Sequence, residues 1–277
     1  MIVVIVGPTG IGKTDLSLKL AHLLNASIIS ADSMQIYKEL NIGTGKVKDR
    51  EGITHYLISH VSIKDNYSVY NYQKEGRAIL DRLLKEKKNV LIVGGTGLYL
   101  KALLYDYRFQ EEEKIDLSSY SLKELQEQVV NENIDFNNRR RVERELLKDK
   151  NTDYTKGNIP LYKFKIIGLT LPRKELYEKI NKRVDMMFEE GLLEEAKELY
   201  EQNINTRAIK TSIGYKELYL YFEGKITLEE AKELIKKKTR NYAKRQYTFF
   251  NNQLIVKWFR QDDKELLEKV SSYLKEK

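Results

Sequence analysis

Lys13 and Thr14 close the run Gly7-Pro8-Thr9-Gly10-Ile11-Gly12-Lys13-Thr14. Glycines at this spacing let backbone N–H groups converge on phosphate oxygens, and a helix N-terminus adds partial positive charge. The lysine supplies a mobile cation, and the threonine hydroxyl can ligate a phosphate-bound Mg²⁺. A G-x-x-x-x-G-K-[ST] match needs a buried strand before it and a helix after it. The apolar run Ile2 to Val6 precedes it, and an amphipathic run from Asp15 with leucines at 16, 20, 23 and 24 follows. The stretch reads as a P-loop for some phosphate compound.

Two further candidates sit where other strands should end. Ala26 to Ser30 is a short apolar run that delivers Asp32-Ser33-Met34-Gln35. Asn89 to Val93 delivers Gly94-Gly95-Thr96-Gly97, directly before a helical pattern at Leu98 to Leu104. Ligands of open α/β sheets gather at the carboxyl ends of the strands, so Asp32, Thr96 and Lys13 should share an edge. On spacing alone Asp32 is either the cap of a turn or a magnesium-binding carboxylate. The Gly94–Gly97 turn by itself could be a tight conformational turn; in company with the first loop it reads as a substrate contact. Its strand lacks the terminal acid of many ATPases, which disfavours ordinary ATP hydrolysis.

Cations cluster twice. Arg139, Arg140, Arg141 and Arg144 fall within six residues, beside Glu143 and Glu145. They suit phosphate contacts, with a solvated charged helix as the competitor. Lys236 to Gln246 holds six basic residues, and no acid occurs from Leu234 through Arg260. Lys237, Arg240 and Lys244 are spaced to share a helix face, with Lys238, Asn241 and Arg245 beside them. A stripe of one sign points to a polyanion.

The positioning elements follow an α/β alternation over 277 residues, long enough for one large domain and a smaller one. The expected fold is a P-loop NTPase-like parallel sheet flanked by helices, with a small helical insertion. Residues 1–104 and 161–277 form the core with its C-terminal basic helices, and 105–160 form the insertion. Phe164 to Leu171 and Leu254 to Phe259 read as later strands. Thr227, with Glu230 three residues on, reads as the capped start of a helix reaching about Tyr247. The net charge is +8 with 19 tyrosines, and there is no cysteine for a disulfide or thiol nucleophile. His22, His55 and His60 lack zinc-site spacing. The N-terminal apolar run is too short for a signal peptide or membrane span, so a cytoplasmic enzyme, with no membrane partner and monomeric, is expected.

Taken in order, these segments resemble the tRNA isopentenyltransferase (tRNA dimethylallyltransferase) family over nearly the whole chain. The likeness runs from Gly7–Thr14 through Ser30–Tyr37, Ile42-Gly43-Thr44-Gly45-Lys46 and Gly94–Tyr99. It continues through Asn181–Met187, Ile213-Gly214-Tyr215-Lys216-Glu217 and Thr239–Gln246. The resemblance implies transfer of a dimethylallyl group from dimethylallyl diphosphate to N6 of the adenosine just 3′ of the anticodon, in tRNAs reading codons that begin with U.

It implies that Gly7, Thr9, Gly10, Ile11, Gly12, Lys13 and Thr14 hold the diphosphate, with Mg²⁺ on Thr14. Asp32 matches the general base, and Thr96 the residue positioning the nucleotide. Ser33, Met34 and Gln35, with Arg140, Arg144, Lys237, Arg240, Lys244 and Arg245, would contact the tRNA anticodon stem-loop. The chain departs from the family's Gln-x-Thr-Trp-Phe-Arg, reading Gln246-Tyr247-Thr248-Phe249-Phe250-Asn251, and its insertion is short. The competing function, on the phosphate loop alone, is an ATP-binding small-molecule kinase. A third is a non-catalytic RNA-binding protein, against which the intact Lys13, Thr14, Asp32 and Thr96 argue.

Overall fold

The computed structural model describes residues 1–109, 116–130, 134–147 and 157–276, without the side chains of Arg140 and Arg144. The chain divides into two compact units, Met1–Leu104 with Tyr162–Lys277, and Tyr105–Leu161.

The first unit opens with β1 (Ile2–Val6), α1 (Lys13–Leu24), β2 (Ala26–Ser30), β3 (His55–Tyr56), α2 (Val69–Lys85), β4 (Asn89–Val93) and α3 (Gly97–Leu104). The second unit carries α4 (Leu122–Gln128) and α5 (Arg139–Leu146). The first unit resumes with β5 (Phe164–Thr170), α6 (Arg173–Glu189), α7 (Leu192–Glu201), α8 (Arg207–Thr211) and α9 (Tyr215–Phe222). It ends with α10 (Leu228–Gln253), β6 (Lys257–Arg260) and α11 (Leu266–Lys275).

The strands form one six-stranded sheet in the order β3-β2-β4-β1-β5-β6, every pair parallel. Both edge strands are short, which leaves little unpaired backbone for another chain. β1 lies between β4 and β5 and is buried at all five positions, hence its unbroken apolar sequence. Ile5 pairs with Val93 and Val93 with Ser30, so β1, β4 and β2 end at one level. That register, more than any single contact, brings the turns after these strands to one edge. Helix α1 buries Leu16, Leu20 and Ala21 on the sheet, each leucine contributing about 1.5–3 kcal/mol. Leu23, expected on the same stripe, is instead exposed.

Helix α10 runs past the expected end at Tyr247. Its inward stripe continues through Ala243, Gln246 and Phe250, all buried, so packing on α3, α6 and α9 carries the helix on to Gln253. The last strand is correspondingly shorter than expected, Lys257–Arg260 in place of Leu254–Phe259. The cap at Thr227 forms as a reciprocal pair: Glu230 N donates to Thr227 Oγ1 at 3.2 Å and Thr227 N to Glu230 Oε2 at 2.7 Å. In the second unit α4 packs on α5 through Leu125 and Val142, both fully buried. The ends of that unit meet, with Asp106 N donating to Ile159 O at 2.9 Å.

Candidate active site

The glycine loop leaves the centre of the sheet, and α1 begins immediately after Gly12, whose φ is 94°. Lys13 folds back over the loop, and its Nζ donates to Gly7 O and Pro8 O, each at 2.9 Å. Those carbonyls stand where anionic oxygens would compete for the ammonium. Burial pushes the Lys13 pKa down to about 8; the Asp32 charge opposes the drop and the Arg183 charge adds to it. Thr14 lines the cavity in front of the loop, and its carbonyl accepts from Ser17 Oγ at 2.7 Å.

Thr9 lines the same cavity. Its backbone N–H donates to Gln246 Oε1 at 2.8 Å, so that amide is committed inside the protein.

Asp32 follows β2 and does cap its turn. Its Oδ1 accepts from Met34 N at 2.9 Å and from Gln35 N at 3.3 Å. Oδ2 takes no hydrogen bond among the described residues, so capping one oxygen leaves the other for chemistry. Thr96 reaches across from the end of β4: its Oγ1 accepts from Ser33 N at 3.1 Å, and its N–H donates to Ala31 O at 3.1 Å. Two adjoining cavities meet here. The larger, about 690 Å³, is lined by Gly10 to Asp15, Lys46, Lys179, Lys182 and Gln35. The smaller, about 220 Å³, has apolar walls from Met34, Val184, Met187, Leu192, Ile213 and Ile235. Thr9, Asp32, Thr44, Arg183 and Met187 line both.

Arg183 and Lys46 carry cationic charge at this site, and residue spacing alone did not single them out. Arg183, on α6, has its guanidinium against Gly45, whose φ is +58°; a Cβ there would come within 1.7 Å of Nη2 and displace the guanidinium. Lys46 Nζ donates to Asn41 Oδ1 at 3.1 Å and to Tyr37 O, and burial lowers its pKa to about 8. The loop bearing it is held by Glu195 of α7, whose carboxylate accepts from Asn41 N, Ile42 N, Gly43 N and the Tyr215 hydroxyl. Gln35 Nε2 donates to Thr44 O at 3.1 Å and closes the loop from the other side. A loop whose anchor lies more than 150 residues away in sequence gives no local signal.

The basic stripe of α10 divides. Lys237, Lys238, Lys244 and Arg245 are exposed, and Arg245 stacks over Tyr242 at 5.7 Å. Lys236 instead bridges Asp185 at 2.8 Å and Glu233 at 3.1 Å. Arg240, expected on the tRNA face, donates to Asn181 Oδ1 at 2.7 Å and lies 6.0 Å over Tyr177, tying α10 to α6. Packing between helices claims these two cations because they stand toward the inward edge of the stripe. In the insertion Arg139 pairs with Glu143 at 2.6 Å and Arg141 lies 3.8 Å from Asp135. The Arg140 and Arg144 side chains lie outside the described residues.

Among the described residues no group of three or more His, Cys, Asp or Glu could hold an ion. His22 and His60 pair with Glu51 and Glu75, each at 2.9 Å. Thr14, with Asp32 and Asp15 on the same cavity wall, fits a Mg²⁺ held chiefly by substrate oxygens and water, the usual manner for this ion.

A parallel sheet with a lysine-bearing glycine loop, a carboxylate and a hydroxyl at the same edge, and a cationic helix beside them define a P-loop-fold enzyme for phosphate-bearing substrates. More particularly, the chain belongs to the IPP transferase family, whose model matches residues 35–253. It is 42% identical to a tRNA dimethylallyltransferase of Anoxybacillus flavithermus, over 97% of this chain and 93% of that protein. It is 41% identical to one of Bacillus subtilis, over 93% and 90%. A solved isopentenylpyrophosphate transferase from Staphylococcus epidermidis superposes with a TM-score of 0.78 at 34% identity, covering 99% of this chain and 98% of that one. A eukaryotic dimethylallyltransferase acting on tRNA superposes with a TM-score of 0.79 at 29% identity, covering 99% and 77%. The small-molecule kinase is not favoured by these likenesses.

Proposed function

We propose that this protein transfers a dimethylallyl group from dimethylallyl diphosphate to N6 of the tRNA adenosine adjacent to the anticodon. The observation that carries the residue-level reading is the Asp32 carboxylate. One oxygen is anchored in its own turn, the other is open at the junction of a cationic cavity and an apolar one. The donor's diphosphate occupies the larger cavity, against the N–H groups of Gly10 to Thr14. The adenosine, turned out of its stack, enters the smaller one past Ser33, Met34 and Arg245.

The exocyclic nitrogen attacks C1 of the dimethylallyl group, the C1–O bond breaks, and its electron pair leaves with the diphosphate. The nitrogen's proton passes to Asp32 Oδ2. Lys13 moves from the loop carbonyls onto the departing oxygens, and Arg183, which lines the same cavity, adds a second positive charge. Mg²⁺ at Thr14, when bound, would neutralise diphosphate charge. Thr96 orients the nucleotide, while Lys237, Lys244 and Arg245 neutralise backbone phosphates of the anticodon arm. All these groups come from one chain, so a monomer suffices. We place the enzyme in the cytoplasm with its tRNA; no helix among the described residues is long and apolar enough to cross a membrane.

The test is mass spectrometry of tRNA nucleosides after incubation with dimethylallyl diphosphate and Mg²⁺. An adenosine carrying one five-carbon unit is expected, at the position next to the anticodon. Turnover of ATP with small metabolites and no modified nucleoside would instead restore the kinase reading.

A further inference from the structure

Gln246 is a buried polar side chain, only 4% exposed, on the inward face of α10. Its Oε1 accepts the Thr9 N–H at 2.8 Å, and its Nε2 donates to Gly95 O at 3.0 Å. One amide thus joins the loop after β1 to the loop after β4. The pairing also settles the orientation of the amide, since the oxygen must face the N–H and the nitrogen the carbonyl. Glutamate lacks the donor, methionine lacks both groups, and asparagine is a methylene short. The approach is close: a Cβ on Gly95 would lie 2.1 Å from Nε2. One turn earlier on the same face, Tyr242 lies beside Thr96 and Gln246 and lines the smaller cavity with Asp32.

We propose that Gln246 is a positioning residue for the transfer: its amide clips the two glycine loops together and fixes the distance between donor and acceptor. The inference rests on the prenyl-transfer reading, in which the diphosphate sits on the first loop and the nucleotide on Asp32 and Thr96 beside the second. The two substrates touch different loops, so losing the clip loosens their mutual alignment and leaves each binding surface in place. A misplacement on the order of 1 Å can cost about 100-fold in rate.

The experiment uses the full chain, a tRNA transcript and dimethylallyl diphosphate, with the variants Gln246→Met and Gly95→Ala. Gly95 has no left-handed φ, so alanine is excluded there only by the amide it would displace. Steady-state kinetics and single-turnover rates are measured, and calorimetric titration with inorganic pyrophosphate counts the competent sites. Each variant should lose about 100-fold in kcat, with both KM values within about threefold of wild type and an unchanged number of pyrophosphate sites. The double variant should lose little more than either single one, because both break the same clip.

A kcat within about threefold of wild type would overturn the inference. So would a loss of turnover that merely follows a loss of pyrophosphate sites, or a rise in KM at constant kcat. Wild type in the same assay reports on the prenyl-transfer reading separately; an inactive wild type overturns that reading and this inference together.

Discussion

At the scale of single residues, Asp32 and Lys13 divide the chemistry by environment. Asp32 keeps one oxygen on backbone N–H groups, so Asp32→Asn preserves the turn while removing the base. That variant should lose about 10²–10⁴-fold in kcat while still binding tRNA, as gel-shift and turnover assays can show side by side. Undiminished turnover would remove Asp32 from the reaction. Lys13 gives a pH dependence whose sign is set by burial. Its folded pKa is lowered to about 8, below the ordinary lysine value, so the free enzyme loses the ammonium as pH rises through that point. Anion capture needs the ammonium. Hence kcat/KM for the donor should fall about tenfold per pH unit above about 8, while kcat, set by the bound complex, stays flat there. Folding stability moves oppositely, rising between that pKa and the unfolded one because the folded state no longer holds the proton. A flat kcat/KM from pH 7 to 10 would sink the assignment.

At the scale of elements, α10 has two faces with different work. Its inward face carries Ala243, Gln246 and Phe250, and its outer face presents Lys237, Lys238, Lys244 and Arg245. Lys244→Ala with Arg245→Ala should weaken tRNA binding and reduce the slope of log K against log salt by about one unit per cation removed. Arg240→Ala should leave that slope unchanged and lower thermal stability, since it breaks the hydrogen bond to Asn181. A salt slope that responds to Arg240 and not to the outer pair would invert the two faces. The same logic separates Lys236, neutralised by Asp185 and Glu233, from the lysine that follows it.

At the scale of the molecule, the second unit begins and ends at adjacent points, bridged at Tyr105 and Pro160. Its first and last residues therefore need only a short connection. Replacing residues 106–159 by a flexible Gly-Ser linker should leave the first unit folded and able to bind pyrophosphate. At a pyrophosphate concentration about 100 times its Kd, the shortened chain should gain about 2.7 kcal/mol of stability, as the full chain does. Its turnover on tRNA should fall. Calorimetry and circular dichroism check the first expectation and nucleoside analysis the second; an unfolded product would show that the first unit depends on the second.

The local chemistry was legible in the residues themselves. A glycine loop ending in Lys13-Thr14 between a buried strand and a helix has few structural solutions, and short apolar runs ending at Asp32 and before Thr96 mark parallel strands. Helical spacing marked α1 and α3, and the cap at Thr227 marked the start of α10. Only the tertiary structure decided which partners these residues have. The register of β2, β4 and β1 levels their three turns. Glu195 reaches back to the Asn41–Gly43 amides, Arg183 enters the space left by Gly45, and Gln246 spans two loops from one helix. Arg240 and Lys236 look like their neighbours in sequence and differ because another helix lies against them. Spacing along the chain records periodicity and turn chemistry, which are local. Contacts across more than a hundred residues depend on how the elements pack, and no local pattern encodes them.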